Sequence, residues 1–209
     1  MMKLFIAEKP SLGMSITKAL PGNGTRGDGF VINKKDGWTV TWAIGHLLEQ
    51  LDPGEYRNEW KKWRRITLPM IPDEWKSEPK AKTQKQFNMI KQLLESCQSV
   101  VNAGDPDCEG SLIVDEVLEY LAYEGEVERI WLTDLTVGGI KKALENMVPN
   151  QKMVGYSDAA KARSRADWLL GMNLSRAYSL RRTAVDRANG ISFEVTKKRG
   201  VISIGRVQT

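Results

Sequence analysis

Ser99-Val100-Val101-Asn102-Ala103-Gly104-Asp105-Pro106-Asp107-Cys108-Glu109-Gly110 is the stretch on which the fold turns. Its first five residues form a short, largely apolar run of strand type, which Gly104 breaks. Beyond the loop, Leu112, Ile113, Val117, Leu118 and Leu121 fall on one helical face. The order is strand, acidic loop, helix. The same order opens the chain, where Lys3 to Ala7 is an apolar run, Glu8 follows, and Pro10 with Leu12, Ile16 and Leu20 marks a helix. Between them, Asp36-Gly37 separates two β-prone runs in Phe30 to His46. In the second run Trp38, Val40, Trp42 and Ile44 alternate with Thr39, Thr41 and Ala43, as in a hairpin. Arg129 to Thr133 reads as a further strand, followed by a helix carrying Val137, Ile140, Leu144 and Met147. Alternating strands and helices predict an α/β fold with a mostly parallel sheet flanked by helices.

The 209 residues suffice for one large domain or for a compact domain with a smaller piece, and 41% hydrophobic with 27% charged residues is ordinary for a globular protein and does not indicate disorder. Pro149-Asn150-Gln151 reads as a connector, giving a first domain at 1–150 and the start of a second, incomplete and mainly helical one at 151–209. The second opens with an Ala- and Arg-rich helical stretch from about Ser157 to Arg182 and ends in a polar, basic tail. Residues 151–209 hold 12 Lys+Arg against 4 Asp+Glu, or +8, whereas residues 1–150 hold 19 against 22, or −3. A basic piece joined to an acidic one points to a polyanion partner for the former and metal or acid chemistry in the latter, although a solvated surface carries such excesses too. No apolar run approaches the ~18–20 residues of a membrane span, and the opening is too short for a signal peptide, so a cytoplasmic location is expected. Cys97 and Cys108 are too few for a disulfide framework and are expected to be free thiols.

The acidic loop carries carboxylates at every second position, Asp105, Asp107 and Glu109, where a strand hands over to a helix. In open α/β sheets ligands bind at that edge. Glu8 occupies the equivalent point of the first strand-loop-helix unit, so neighbouring strands would bring four carboxylates together. Such a cluster repels itself without a cation, and all-oxygen donors favour Mg²⁺. Lys9 adds a positive charge suited to a phosphate oxygen. The alternative is that Asp105 and Asp107 merely cap the following helix.

Glu8 after one strand and Asp105-x-Asp107-x-Glu109-Gly110 after another resemble the toprim domain shared by topoisomerases, primases and some nucleases. Leu4-Phe5-Ile6-Ala7-Glu8-Lys9-Pro10-Ser11, Gly45-His46-Leu47-Leu48-Glu49, Arg163-x-Arg165-Ala166-Asp167-Trp168 and Gly205-Arg206-Val207-Gln208-Thr209 narrow the resemblance to type IA DNA topoisomerases of the topoisomerase III branch. The resemblance implies a Rossmann-like toprim fold and a reaction that relaxes or decatenates DNA through a transient single-strand break. By the same resemblance, Mg²⁺ is held by Asp105 and Asp107, with Glu8 as ligand or acid/base and Glu109 in support, while Lys9 steadies the phosphate or supplies a proton.

For DNA contact, the resemblance selects Arg163 and Asp167, four apart on one helix, with Trp168 and Arg176 further along it. An intrahelical ion pair explains the Arg163–Asp167 spacing equally well. Arg206 and Gln208 match a segment that approaches DNA near the cleavage point. In Trp60-Lys61-Lys62-Trp63-Arg64-Arg65, aromatics alternate with cations as in a site for single-stranded DNA, with Trp63 the expected contact; a solvated basic turn with two packed tryptophans is the other reading. His46, the sole histidine, stands in the Gly-His-Leu block and is a candidate for the catalytic pocket.

Two departures stand out. Cys108 occupies a position where the family usually has Arg, which removes a cation from among the acids. The nucleophile of the family is a tyrosine on a later domain, and none of Tyr56, Tyr120, Tyr123, Tyr156 and Tyr178 lies in its sequence context. This chain alone is therefore expected not to cleave DNA by the family route. A stand-alone toprim nuclease or phosphotransferase using metal-activated water, and a non-catalytic DNA-binding remnant, are the alternatives.

Overall fold

The computed structural model describes residues 2–192, 194, 197 and 200–205. The chain groups into two compact units, one of Met1–Glu49 with Ser77–Lys161, the other of Gln50–Lys76 with the chain from Ala162 onward. The grouping differs from a single boundary near Asn150, because a segment far upstream joins the C-terminal one.

The strands are β1 (Lys3–Ala7), β2 (Thr25–Arg26), β3 (Phe30–Asn33), β4 (Trp38–Trp42), β5 (Leu48–Gln50), β6 (Ser77–Pro79), β7 (Ser99–Ala103), β8 (Glu126–Arg129) and β9 (Val148–Pro149). The helices are α1 (Pro10–Ala19), α2 (Pro53–Tyr56), α3 (Gln84–Ser96), α4 (Cys108–Tyr120), α5 (Val137–Leu144) and α6 (Val154–Ala188). The first unit holds a seven-stranded sheet in the order β2-β3-β4-β1-β7-β8-β9, in which β4, β1, β7 and β8 are mutually parallel and the outer strands antiparallel. β5 pairs with β6 separately.

Strand alternation builds both faces of this sheet. Phe5 and Ala7 of β1 and Val101 and Ala103 of β7 pack with Leu12, Ile16 and Ile140 on the side of α1 and α5. Leu4, Ile6 and Val100 face the other way, onto Phe87 and Ile90 of α3 and Ile113 and Val117 of α4. Burying each of the larger of these side chains contributes roughly 1.5–3 kcal/mol. The hairpin forms as expected, antiparallel with Asn33 opposite Trp38 and Gly37 at φ 74 in the loop. β4 is buried at all five residues and not on one face alone. It lies inside the sheet between β3 and β1, and Thr41 is covered by Gln86 of α3, whose Nε2 donates to Thr41 Oγ1 at 3.2 Å. The strand expected at Arg129 to Thr133 lies earlier, with Arg129 its last residue.

The second unit is built around Trp60, Met70 and Trp168, with Tyr56, Leu68, Trp75, Leu169 and Met172 packed against them. Tyr56, Trp75 and Trp168 meet edge to face with ring centroids 5.5–6.5 Å apart, the arrangement that aromatic quadrupoles favour. No helix among the described residues is long and apolar enough to cross a membrane.

Candidate metal centre and nucleic-acid interface

Parallel pairing of β1 and β7 places Ala7 opposite Ala103, so Glu8 and Gly104 leave the sheet together. The main-chain N–H of Asp105 donates to Glu8 Oε2 at 3.2 Å, which fixes the loop to the end of β1. Lys9 Nζ reaches Asp105 Oδ2 at 2.5 Å. Asp107 caps α4, its Oδ1 accepting from the Gly110 N–H at 2.7 Å. The helix-capping alternative therefore holds for Asp107 and not for Asp105.

Burial pushes the Glu8 carboxyl above the usual carboxylate range, with the charges of Asp105 and Asp107 adding to the rise against the pull of the Asp105 N–H and Lys9. The hydrogen bond to Asp105 raises the Lys9 ammonium in turn. Glu8 thus senses the negative charges of Asp105 and Asp107. The loop packs closely, since a Cβ on Gly110 would lie 2.8 Å from Glu8 Oε2 and 2.5 Å from the main-chain nitrogen and oxygen of Asp105. Only glycine lets the start of α4 approach Asp105 and Glu8 this closely. The side chains of Glu8, Asp105, Asp107 and Glu109 offer only oxygen donors, the chemistry a hard cation takes.

Beneath the loop lies Arg129, 1% exposed. It donates to the main-chain oxygens of Asn102, Gly104 and Asp105 at 2.8–3.0 Å, to Asn102 Oδ1 at 3.0 Å and to Ser111 Oγ at 3.2 Å. Burial lowers its guanidinium to about 10, opposed by the carboxylates of Asp115, Asp107, Asp105 and Glu8. Asn102 completes the support, donating to Asp115 Oδ1 at 2.7 Å, while Asp115 also accepts from Asn150 and Ser157. A cation embedded in Val127-Glu128-Arg129-Ile130-Trp131 was the available sequence signal for this arginine. Cys108, where the resemblance leads one to expect an arginine, stands half-buried at the first position of α4.

His46 follows β4 and the turn at Gly45, whose φ is 69. Its Nε2 lies 2.6 Å from Glu109 Oε1 and its Nδ1 2.8 Å from Glu116 Oε1. The hydrogen bond to Glu116 is the main reason its imidazole is raised to about 9. Burial raises the Glu116 carboxyl even against the pull of His46. Glu116 was missed in the sequence, although its spacing of seven from Glu109 repeats on a helix face.

The remaining candidates belong to the second unit or to the tail. Arg163 is exposed on α6, and Asp167, one turn on, lines a groove of about 850 Å³ with Asp52, Lys61, Trp63, Ser175 and Arg176. Trp63 is 39% exposed and stacks on the Arg176 guanidinium, 5.2 Å from its ring centroid. Arg176 itself is buried and donates to the main-chain oxygen of Trp60 at 2.6 Å. Trp168 is buried in the aromatic cluster, its indole N–H donating to Leu51 O at 3.1 Å. Arg165, stacked over Trp75, was not singled out in the sequence. Arg206 and Gln208 lie outside the described residues. Just before them the chain runs along α6, with the N–H groups of Ile202 and Ile204 donating to Ser179 and Ser175.

Residues 3–135 match the model of the Toprim domain family. Over its whole length the chain is 42% identical to DNA topoisomerase 3 of Haemophilus influenzae and 43% identical to that of Salmonella typhimurium, spanning 31% of each. It is 33% identical to DNA topoisomerase 3 of Staphylococcus aureus, spanning 27% of it. The chain thus spans less than a third of the length of these curated relatives. Full-length topoisomerase I from Thermotoga maritima superposes on 82% of this chain and 25% of its own, with a TM-score of 0.56 and 18% sequence identity, a likeness of fold.

Proposed function

Since the chain belongs to the Toprim domain family, we propose that it is the cation-binding and DNA-engaging N-terminal part of a topoisomerase III-like enzyme, relaxing or decatenating DNA through a transient single-strand break in the cytoplasm. The observation that carries this is the in-register exit of β1 and β7, which sets Glu8 and Lys9 against Asp105 in the loop that also bears Asp107 and Glu109. Asp105 and Asp107, with Glu8 and Glu109, would hold Mg²⁺. When bound, that ion offsets the charge of the scissile phosphate. Where Glu8 is not itself a ligand, it is suited to hold or pass a proton at the leaving oxygen, since burial raises its carboxyl. Lys9, already paired with Asp105, is placed to turn to a phosphate oxygen instead.

Residues 151–209 would contribute the basic DNA-binding part, with Arg163, Asp167, Arg206 and Gln208 toward single-stranded DNA, joined by Trp63 from the Gln50–Lys76 segment, and with Arg176 and Trp168 shaping that surface from within. Support comes from the exposed Trp63 held on Arg176 beside Lys61 and Asp167. The test is Mg²⁺-dependent thermal stabilisation of the wild type and its loss in Asp105→Asn/Asp107→Asn; melting that ignores Mg²⁺ in both sinks the cation site. Alongside it, Arg163→Ala should weaken single-stranded oligonucleotide binding and reduce its salt dependence by about one charge. Nicking of DNA by this chain without a covalent product would instead favour a toprim nuclease.

A further inference from the structure

Glu109 and Glu116 stand seven residues apart on α4, two turns along one face, and His46 bridges them. An ionised carboxylate only accepts hydrogen bonds, so a ring between two of them donates from both nitrogens and is an imidazolium. The two contacts differ in setting. The side chain of Glu116 is 18% exposed and that of Glu109 is 53% exposed, so the inner contact is the fixed anchor and the outer one is exchangeable. Lys80 also faces Glu116, adding its positive charge to the anchor.

All four carboxylates of the loop region are engaged. Glu8 accepts from the Asp105 N–H, Asp105 from Lys9, Asp107 from the Gly110 N–H and Glu109 from His46. In this arrangement no three acids, histidines or cysteines among the described residues converge on one metal position. Two of the four, Asp105 and Glu109, are held by side-chain cations whose place a divalent ion would take. Lys9 is spoken for by the phosphate, whereas His46 has no part in the proposed reaction.

We infer that His46, anchored by Glu116, is a positioning residue that holds the Glu109 carboxylate in the metal-free protein and competes with a divalent cation for it. The inference rests on the proposed toprim cation site. Loading the site exchanges the Glu109–imidazolium contact for a Glu109–metal contact, while Glu116 keeps the ring in place. Removing His46 frees Glu109 and tightens metal binding.

The test uses the 209-residue chain with Mn²⁺ alone, titrated by electron paramagnetic resonance in wild type, His46→Gln, Glu109→Gln and the double variant. His46→Gln should bind Mn²⁺ about fivefold more tightly, the scale of one largely exposed ion pair, and the gain should vanish in the Glu109→Gln background. Unchanged or weaker binding in His46→Gln, or an equal gain without Glu109, overturns the inference and leaves the cation site standing. A wild type that binds no Mn²⁺ overturns both. A second measurement needs no variant, because the chain has one histidine. Mg²⁺ should shift its ring Nε2–H resonance and leave Nδ1–H nearly in place, and two unmoved resonances at saturating Mg²⁺ overturn the inference.

Discussion

Arg129 Nη2 donates to the main-chain oxygen of Asp105 at 2.8 Å from beneath the acidic loop. The same guanidinium takes the main-chain oxygens of Gly104 and Asn102. Buried carbonyls deprived of a donor cost about 1–3 kcal/mol each. The Asn102 and Asp105 oxygens keep the N–H groups of Ile130 and Asp107 as donors, so Arg129→Met should destabilise the chain by about 1–3 kcal/mol, chiefly through Gly104 O, read from urea unfolding. The amides of residues 104–110 should also exchange faster with solvent. A change below about 1 kcal/mol would mean that the guanidinium is not holding the loop.

Asp107 has two roles that substitution separates. As the cap of α4 it accepts from Gly110 N, and asparagine caps as well as aspartate while alanine does not. Asp107→Ala should lower stability by about 1 kcal/mol and abolish Mg²⁺-dependent stabilisation, whereas Asp107→Asn should lose the Mg²⁺ response with its metal-free melting almost unchanged. Thermal melts with and without Mg²⁺ check both; a normal Mg²⁺ response in Asp107→Asn would remove this residue from the donor set.

How much of this was legible in the sequence depends on where the information lies. Repeated strand-loop-helix order and the alternate acids are local patterns, so the sheet, its parallel core and the edge bearing Glu8 and Asp105 could be read directly. Pairing across the chain could not. Gln50–Lys76 joins the segment after Ala162 through burial of Trp60, Met70 and Trp168, which no composition shift at Asn150 signals. The support of the site was hidden for the same reason, since Arg129 reads as an ordinary strand residue until β8 is placed beside β7. Trp168 and Arg176 read as surface residues of a basic helix, but each faces inward, where the aromatic cluster and the Trp60 carbonyl receive them.

The His46 bridge gives stability a pH dependence of definite sign. Its folded value of about 9 lies above the ordinary imidazole value of 6.5, so its contribution is complete below about pH 6.5 and is lost as pH rises through 9. Desolvation of the buried Glu116 opposes this. In metal-free buffer, the melting temperature of the wild type should exceed that of His46→Gln at pH 6 and the gap should close by pH 9.5. A gap that stays constant across that interval would show that the ring carries no charge between its two carboxylates.

Trp63 and Trp168 belong to the same unit but should fail in opposite ways. Trp63 is 39% exposed and rests on the Arg176 guanidinium, so it offers a ring face on which a base can stack. Base stacking on an aromatic contributes about 1–3 kcal/mol. Trp63→Ala should weaken single-stranded DNA binding by roughly five- to 150-fold with little change in melting temperature. Trp168 is buried against Tyr56 and Trp75 and donates to Leu51 O. Its replacement by alanine leaves a cavity and an orphaned carbonyl, costing about 3–5 kcal/mol of stability. Fluorescence anisotropy with a labelled oligonucleotide, paired with melts of each variant, separates the two. Were Trp168→Ala to melt normally and lose DNA binding, the indole would be turning outward to meet the strand, and the aromatic cluster would not be its resting place in solution.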